Sequence, residues 1–311
     1  MQRWGKTAAG TQRWRCFFCK KTGVKKRLDR QQRSIDILFK KWLIGNATLH
    51  DIAEGRGVSV KTLQQRFATC GQYPCSAISK SNARILVLDA TGIGRDCVLL
   101  VILDAQTNAP IAWRPAAHET MESWNALLAR SPQEPRYVVA DGHSGLLKAV
   151  RERWPEVLVQ RCMAHVLREV RGFLTRRPKL PAGIALRLLV NAITAIQTRR
   201  QKRKWVRKFF CWRKKYEQFL KEKTRTFGRH WHYTHRQLRR AASHLLRALP
   251  NLFRFVRDHD VPSTSNQVEG GINGPIKDLM RKHRGTSVRR RLILATFYLQ
   301  KRVKKPTRNF H

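Results

Sequence analysis

Two aspartates close short apolar runs and are the residues best placed for chemistry. Asp89 ends the run "ILVLD" and Asp141 ends the run "YVVAD". A carboxylate at the end of a buried strand is costly unless it is paired or holds a cation. Two of them on neighbouring strands would form a site for Mg²⁺, which prefers oxygen ligands. Taken singly, each could instead be a turn residue, as Asp104 in "ILDAQTN" is expected to be.

Glu269 is a third acid in an unusual setting. It lies in "VPSTSNQVEGGINGPIKDL" (261–279), among polar residues and glycines, in a chain with 64 Lys and Arg against 20 Asp and Glu. Thr264 and Gln267 fit a capping box, which predicts a helix that starts just before Glu269. Several glycines and Pro275 then disfavour a regular helix, so we predict a kink near 271–275. The alternative is a helix-start carboxylate that belongs to no site.

Three carboxylates of this kind would make a centre for phosphoryl transfer. A third carboxylate on a helix that crosses the sheet completes a two-metal site, in which one metal activates the attacking oxygen and the other stabilises the leaving oxygen, about 4 Å away. Such chemistry needs no covalent enzyme intermediate, and hence no Ser or Tyr nucleophile. Asp89, Asp141 and Glu269 are therefore our candidate metal ligands.

The pattern of apolar residues from residue 84 onwards predicts a mixed α/β (α+β) core. The runs "RILVLDAT", "CVLLVILDA" and "APIAWRP" indicate three strands in a meander. The next segments alternate between helix and strand: "ETMESWNALLAR", "RYVVADG", "HSGLLKAVRERW", "EVLVQRC" and "AHVLREVRGFLT". The predicted order is β-β-β-α-β-α-β-α, a mixed sheet with helices around it.

Residues 175–258 show helical spacing and little strand signal, which predicts an all-helical insertion. Residues 199–225 alone hold thirteen Lys or Arg, interleaved with aromatic residues. Basic grooves with aromatic platforms suit nucleic acids, although core packing is the expected role of most of these rings: Trp205, Phe209, Phe210, Trp212 and Trp231. The chain closes with a basic helix, "SVRRRLILATFYLQKRVKK".

The first 80 residues carry two further motifs. Cys16-Phe-Phe-Cys19 is half of a zinc ribbon, which needs a second pair for tetrahedral ligation; that pair would lie before Met1, and Cys70 and Cys75 have the wrong spacing to replace it. Zinc binding therefore stays open beside two unligated thiols. The segment "TLHDIAEGRGVSVKTLQQRF" predicts a helix-turn-helix, with a plain helical bundle as the alternative. The exposed face of its second helix would contact DNA through Lys61, Gln64, Gln65 and Arg66.

Composition favours a polyanionic partner. The formal net charge is +44 and the pI about 11.4, so the folded chain is expected to work beside nucleic acid. A membrane surface is the weaker alternative, since no apolar run spans a bilayer and no signal peptide follows the N-terminus. Seven scattered cysteines do not form a disulfide framework, which indicates a cytoplasmic protein beside the nucleoid.

Three segments together resemble the Mutator-like DDE transposases of bacterial insertion sequences, which have an RNase H-like core. "DGHSGLLKAVRERWPEVLVQRCMAH" (141–165) is similar to that group's segment around its second Asp, with its Gln-Arg-Cys-x-x-His ending. "STSNQVEGGINGPIKDLMRKHRG" is similar to its Thr-Thr-Asn-x-x-Glu segment, with Ser265 at one Thr position, and "LVLDAT" to its first-Asp strand. The resemblance covers residues 84–300.

The resemblance implies that Asp89, Asp141 and Glu269 are the catalytic and metal-binding triad, with Mg²⁺ as the cofactor and Mn²⁺ able to substitute. It places Cys162, His165 and Asn266 as residues that shape the site, although a buried thiol and a helix-start histidine explain the first two equally well. The basic residues after the glutamate would hold DNA: Lys277, Arg281 and Arg284.

By the same resemblance, the expected activity is cleavage and strand transfer at the ends of an insertion sequence, on double-stranded DNA with terminal inverted repeats and a target site. A homodimer or larger assembly is expected, because two ends must be joined. The alternatives are a nuclease or resolvase without strand transfer and a truncated, transposase-derived DNA-binding protein. The predicted domains are a half zinc ribbon (1–27), a helix-turn-helix domain (28–80), the first part of the RNase H-like core (84–174), the helical insertion (175–260), and the catalytic Glu helix with the basic C-terminal helix (261–311).

Overall fold

The computed structural model of the chain describes residues 1–17, 19–24, 30–45, 47–68, 70, 82–131, 134–225, 230–266 and 269–303. The backbone alone is described for residues 30–33, 44 and 269. The chain divides into two compact units, Met1–Gln72 and Tyr73–His311. No helix in these described ranges is long and apolar enough to cross a membrane.

The first unit contains a small antiparallel sheet and three helices. Strands β1 (Gln2–Lys6), β2 (Gln12–Arg15) and β3 (Thr22–Val24) pair in that order. Helices α1 (Arg30–Ile44), α2 (Leu49–Glu54) and α3 (Val60–Ala68) follow, and the last two lie in the segment for which the sequence predicts two helices. The rings of Phe39 and Trp42 lie 5.1 and 5.4 Å from that of Phe67, so α3 packs on α1 through aromatic contacts.

The turn between α2 and α3 has the chemistry that its sequence indicates. Thr48 and Asp51 form a capping box at the start of α2, and the Ser59 hydroxyl accepts a hydrogen bond from the Thr62 N–H at 3.1 Å. Gly57 has a φ of +62°, a conformation that favours glycine. Two helices joined by a tight turn are thus present, while their assignment as a helix-turn-helix domain and DNA binding by α3 stay predictions.

A five-stranded mixed sheet forms the centre of the second unit. Its strands are β4 (Ile85–Gly94), β5 (Cys97–Asp104), β6 (Pro110–Ala116), β7 (Tyr137–Ala140) and β8 (Leu158–Arg161), in the spatial order β6-β5-β4-β7-β8. The meander β4-β5-β6 is antiparallel, whereas β4-β7 and β7-β8 are parallel. All five strands were predicted from the sequence, and β4 extends further than predicted because it pairs with β5 as far as Gly94.

Alternate residues of the strands face two separate layers of helices. Leu86 and Leu88 of β4 pack against α4 (Met121–Leu128) and α5 (Ser144–Arg153). Ile85 and Val87 face the other layer, which includes α6 (Met163–Leu174) and the C-terminal elements. Asp89 shares the parity of Ile85 and Val87, so the alternation directs its side chain towards this second layer.

The segment that follows α6 is helical with one exception. It contains α7 (Pro181–Asn191), α8 (Arg199–Lys215), α9 (Glu217–Lys221), α10 (Arg236–Ala248) and three short 3₁₀ turns. The prediction of an all-helical insertion is wrong at one place, because β9 (Lys223–Arg225) and β10 (Trp231–Tyr233) pair as an antiparallel hairpin. Strands of three residues, with no apolar alternation, leave no periodic signal in the sequence.

Most aromatic side chains of this region belong to the core. Trp205, Phe209 and Trp212 are buried on one face of α8, and the indole N–H groups of the two tryptophans donate to the Leu189 and Ala182 carbonyls of α7. Phe210 and Trp231, by contrast, are exposed. The chain then forms a π-helical segment (Glu269–Asn273) and two further helices, α11 (Gly274–Lys282) and α12 (Val288–Arg302).

Candidate active site

The parallel ladder between β4 and β7 brings the two predicted aspartates side by side. Its last pair is Leu88 with Ala140, and Asp89 and Asp141 are the next residues of the two strands. Asp141 follows β7 directly, as predicted. Asp89, however, lies within β4 and not at its end, because β5 supports the strand on its other edge. The two carboxylates thus stand where β7 leaves the sheet.

Asp89 is a buried carboxylate that accepts two hydrogen bonds. Its Oδ1 accepts from the Ala90 N–H at 2.9 Å, and its Oδ2 accepts from Nδ2 of Asn273 at 2.8 Å. Its pKa is raised to about 6, chiefly by burial and also by the charge of Asp141, while the positive charge of His165 opposes the rise. A cation between Asp89 and Asp141 would stabilise the ionised form of both carboxylates.

Asp141 is held by its main chain. Its carbonyl oxygen accepts two hydrogen bonds from the buried guanidinium of Arg161, at 3.2 Å from Nε and 3.0 Å from Nη2. Its Oδ1 accepts from the His143 N–H at 2.8 Å, which closes the turn into α5. Gly142 has a φ of +99°, and a Cβ atom there would lie 1.8 Å from Cζ of Arg161. Glycine is required here because the guanidinium occupies the space of a side chain.

Cys162 and His165 form a hydrogen-bonded pair beside the carboxylates. Cys162 is fully buried at the start of α6, and its sulfur accepts from the N–H and hydroxyl of Ser265, at 3.2 and 3.1 Å. Burial opposes ionisation of the thiol, yet hydrogen bonds from His165 and Ser265 leave its pKa lowered. The pKa of His165 is raised to about 9, chiefly by the bond to Cys162 and also by the charges of Asp89 and Asp141, although burial opposes the rise. His165 therefore supplies positive charge to the site.

Glu119 is a further carboxylate that the sequence analysis missed. It precedes α4, where its Oε1 accepts from the Trp124 indole N–H at 3.0 Å and lies 3.5 Å from Nδ1 of His143. Burial raises its pKa, and the charge of Asp141 adds to that rise. A helix-flanking acid in "HETMES" looks like an ordinary cap residue, so the sequence alone did not single it out.

The π-helical segment connects the predicted glutamate to the aspartates. Glu269 begins this segment, and Asn273, four residues later, donates to Asp89. The predicted irregularity near 271–275 is therefore present as a π-helical turn, a conformation that is frequent at functional sites. Gln267 of the predicted capping box lies outside the described residues, and the Glu269 side chain is not described.

The remaining predicted residues are mostly on the surface. Asn266 is exposed, and its N–H donates to the Thr264 hydroxyl at 3.4 Å. Cys16 is half-buried and Cys19 exposed near the β2–β3 turn, and Cys75 lies outside the described residues. The candidate DNA-binding residues all have exposed side chains: Lys61, Gln64, Gln65, Arg66, Lys277, Arg281 and Arg284.

Two carboxylates on adjacent strands fit a hard cation, since both offer oxygen ligands. Within the described ranges no group of three or more His, Cys, Asp or Glu is arranged to hold a metal. A complete site would thus need a ligand beyond these described side chains, and Glu269, whose side chain is not described, is the predicted one.

Comparison with known proteins identifies the family. The family described as "Transposase IS66 family" matches residues 102–287, well over half of the 311 residues. This chain belongs to the IS66 family of transposases. The IS66 match begins inside β5 and ends just before α12, so it includes Asp141, Cys162, His165 and Glu269, while Asp89 precedes it. The resemblance to Mutator-like enzymes is not supported by the comparisons, which give the IS66 family instead.

One curated relative also bears on this IS66-family chain. A protein from Corynebacterium diphtheriae, described as "Probable transposase for insertion sequence element", is 27% identical over 118 residues. The aligned part is 34% of this chain and 34% of the relative, so the chain spans about a third of the length of the curated relative it matches.

Proposed function

We propose that the chain is a DNA transposase of an insertion sequence, and that it cleaves and joins DNA strands by metal-dependent phosphoryl transfer. The observation that carries this proposal is the register that aligns Asp89 with Asp141, two carboxylates placed side by side, where burial and then the charge of Asp141 raise the pKa of Asp89. The IS66 family match supplies the biological context. The order and directions of the five strands support an RNase H-like core, as the sequence resemblance implies.

In this proposal, Asp89, Asp141 and Glu269 hold Mg²⁺, for which Mn²⁺ can substitute. The bound ions would polarise the scissile phosphate and lower the pKa of the attacking hydroxyl or water. Asn273 orients the Asp89 carboxylate, and Arg161 fixes the backbone of Asp141. The imidazolium of His165 contributes a fixed positive charge where the DNA phosphate approaches.

DNA would be held by surfaces on both units. The exposed side of α3 offers Lys61, Gln64, Gln65 and Arg66 to a major groove. Lys277, Arg281 and Arg284 lie on or just after α11, the helix that follows the Glu269 segment. A dimer or larger assembly on paired terminal repeats is part of the proposal, because strand transfer requires two ends to be brought together.

Nicking of a labelled terminal-repeat duplex tests the metal site. Asp89→Asn, Asp141→Asn and Glu269→Gln should each lower Mn²⁺-dependent nicking by at least about a hundredfold, since each removes a charged ligand. Asp96→Asn, at the exposed β4–β5 turn, is the matched control and should leave nicking unchanged. Unchanged nicking by Asp89→Asn would remove that residue from the site and favour a DNA-binding protein without this chemistry.

The third ligand is tested separately, because Glu119 is also near Asp141. If Glu119→Gln abolishes nicking and Glu269→Gln does not, Glu119 is the third carboxylate.

Strand transfer is tested with paired ends and a target plasmid. Joined products establish a transposase, whereas hydrolysis products alone identify a nuclease or resolvase.

A further inference from the structure

The β9–β10 hairpin is an exposed, aromatic and basic feature that the proposed catalytic centre does not use. Its strands pair Trp231 with Arg225 and Tyr233 with Lys223, and neither strand has a buried residue. The hairpin therefore contributes little to the hydrophobic core. An element that buries so little of its own surface gains stability from what binds to it or from local contacts.

The aromatic side chains of the hairpin are held by cations. Nζ of Lys223 lies 3.8 Å from the centroid of the Trp231 ring, and the Arg239 guanidinium lies 3.8 Å from that of Tyr233. The two rings are 5.4 Å apart and perpendicular. Trp231 nevertheless keeps 52% of its surface exposed, so a large flat apolar surface stands among positive charges.

A groove of about 350 Å³ lies between α8, α9 and α10, next to the hairpin. Arg239 lines the groove and also contacts Tyr233, so the two features share a residue. The groove is basic: Arg213, Lys214 and Lys221 line it with Arg239, and its acid, Glu217, is already bonded to Lys221 at 2.7 Å. Phe210 is 44% exposed in the lining, so the groove has an aromatic residue of its own.

Unpaired DNA has the chemistry that fits both parts. Its phosphates suit a groove in which four cations face a single acid, and its bases present flat faces that stack on exposed aromatic rings. A duplex could satisfy the cations, but its base faces are covered by stacking and cannot reach Trp231. An acidic protein could likewise neutralise the groove, yet it offers no comparable partner for a cation-backed indole.

We propose that the hairpin and the adjoining groove bind single-stranded DNA, with the phosphates along the groove and a base against Trp231. This inference rests on the proposed function in one respect, namely that the chain acts on DNA whose strands separate at the cleaved end. The hairpin would then hold the nucleotides that become unpaired there.

Binding of the full chain to fluorescein-labelled oligo(dT) of twelve nucleotides, in EDTA, tests the inference. Trp231→Leu should weaken binding to oligo(dT) by between about fivefold and a hundredfold, the range expected for the loss of one stacked base. Binding to a blunt duplex of the same length should change less than twofold. Trp231→Phe should restore most of the affinity for oligo(dT), because it restores an aromatic face.

A matched control is available in the first unit. Trp4 is 44% exposed, and the Arg15 guanidinium lies 4.3 Å from its ring centroid. Trp4→Leu therefore removes a similar cation-backed indole elsewhere and should leave oligo(dT) binding unchanged. An equal loss in both variants would overturn the assignment to the hairpin. So would unchanged oligo(dT) binding in Trp231→Leu, or an equal loss of duplex binding in that variant.

Photocrosslinking tests directly whether a base contacts Trp231. Oligo(dT) carrying one 5-iodouracil should crosslink at Trp231, as located by mass spectrometry, and that crosslink should be lost in Trp231→Leu. Crosslinking confined to other peptides would contradict the inference. Because neither measurement needs metal or cleavage, their failure would leave the nicking test of Asp89 untouched, and loss of nicking would not alter these results.

Discussion

At the scale of single residues, the buried carboxylate of Asp89 carries an electrostatic cost. Its pKa is raised to about 6, against about 3.8 for an ordinary aspartate. Without metal, ionisation of Asp89 therefore opposes folding, and it does so increasingly as pH rises from about 4 to 6. In a metal centre this cost is offset, because a bound cation stabilises the ionised carboxylate.

Asp89→Asn should accordingly stabilise the metal-free protein. The cost is absent only well below pH 3.8, where aspartate is protonated in both states, and it reaches about 3 kcal/mol above pH 6. In EDTA, the difference in free energy of unfolding between the variant and the wild type should grow in favour of the variant across this interval. Urea titrations at pH 4, 5, 6 and 7 measure it. A difference that does not change with pH would contradict the raised pKa.

The pairing of Cys162 with His165 makes a second prediction at this scale. A hydrogen bond to Cys162 is the main reason that the pKa of His165 rises to about 9. Cys162→Ala should therefore lower the pKa of the imidazole, which NMR titration of the labelled histidine measures. Cys97→Ala removes another buried cysteine, on β5, and should leave the His165 titration unchanged. An unaltered pKa in Cys162→Ala would show that the carboxylates, and not the thiol, hold the imidazole charged.

At the scale of elements, the turn after β7 depends on a close approach between backbone and side chain. The Arg161 guanidinium lies where a Cβ of residue 142 would stand, and Gly142 also has a positive φ. Gly142→Ala should displace Arg161 from the Asp141 carbonyl and lower nicking by about tenfold or more. Gly92→Ala, where an added Cβ meets no atom within 4 Å, is the control within β4. Equal activity of the two variants would show that the position of Arg161 does not matter.

Gln160 ties the helical insertion to the edge of the sheet. Its fully buried amide donates to the Leu252 carbonyl at 2.9 Å and accepts from the Arg254 N–H at 2.7 Å. Gln160→Met leaves these buried backbone groups without partners and should lower the free energy of unfolding by about 2–5 kcal/mol. Gln106→Met, in the exposed β5–β6 turn, should change it by less than about 0.5 kcal/mol. A loss below about 1 kcal/mol in Gln160→Met would mean that water replaces the amide.

The sequence predicted the elements that show a pattern of apolar residues along a continuous segment. Five strands of the central sheet and the helices beside them follow from apolar periodicity, and Asp141 was recognised because a polar residue ends a buried run. The hairpin at Trp231 was missed because three-residue strands have no period. Asn273 and Arg161 were missed for another reason, since their partners are 184 and 20 residues away and only the folded chain brings them together.

At the scale of the whole molecule, the net charge of +44 is expected to dominate the affinity for DNA. Each phosphate neutralised by a lysine or arginine releases a counterion, which makes the binding constant fall steeply with salt. The catalytic acids are a small part of this charge. Duplex affinity should therefore be nearly the same in wild type and Asp89→Asn, and should fall by a factor of about 10³ or more between 50 and 200 mM salt.

Two basic residues on and just after α11 should contribute differently to the salt dependence of duplex binding. Arg281 forms an ion pair with Asp278 at 2.7 Å, whereas Arg284 is exposed beyond the end of the helix and forms no ion pair with the acidic residues of the described ranges. Arg284→Gln should lower the slope of log affinity against log salt by about one, as expected for one lost phosphate contact. Arg281→Gln should lower it less, because its charge is already shared with a carboxylate. Fluorescence anisotropy with a terminal-repeat duplex at four salt concentrations measures both slopes, and a larger change for Arg281→Gln would place the DNA on the other side of α11.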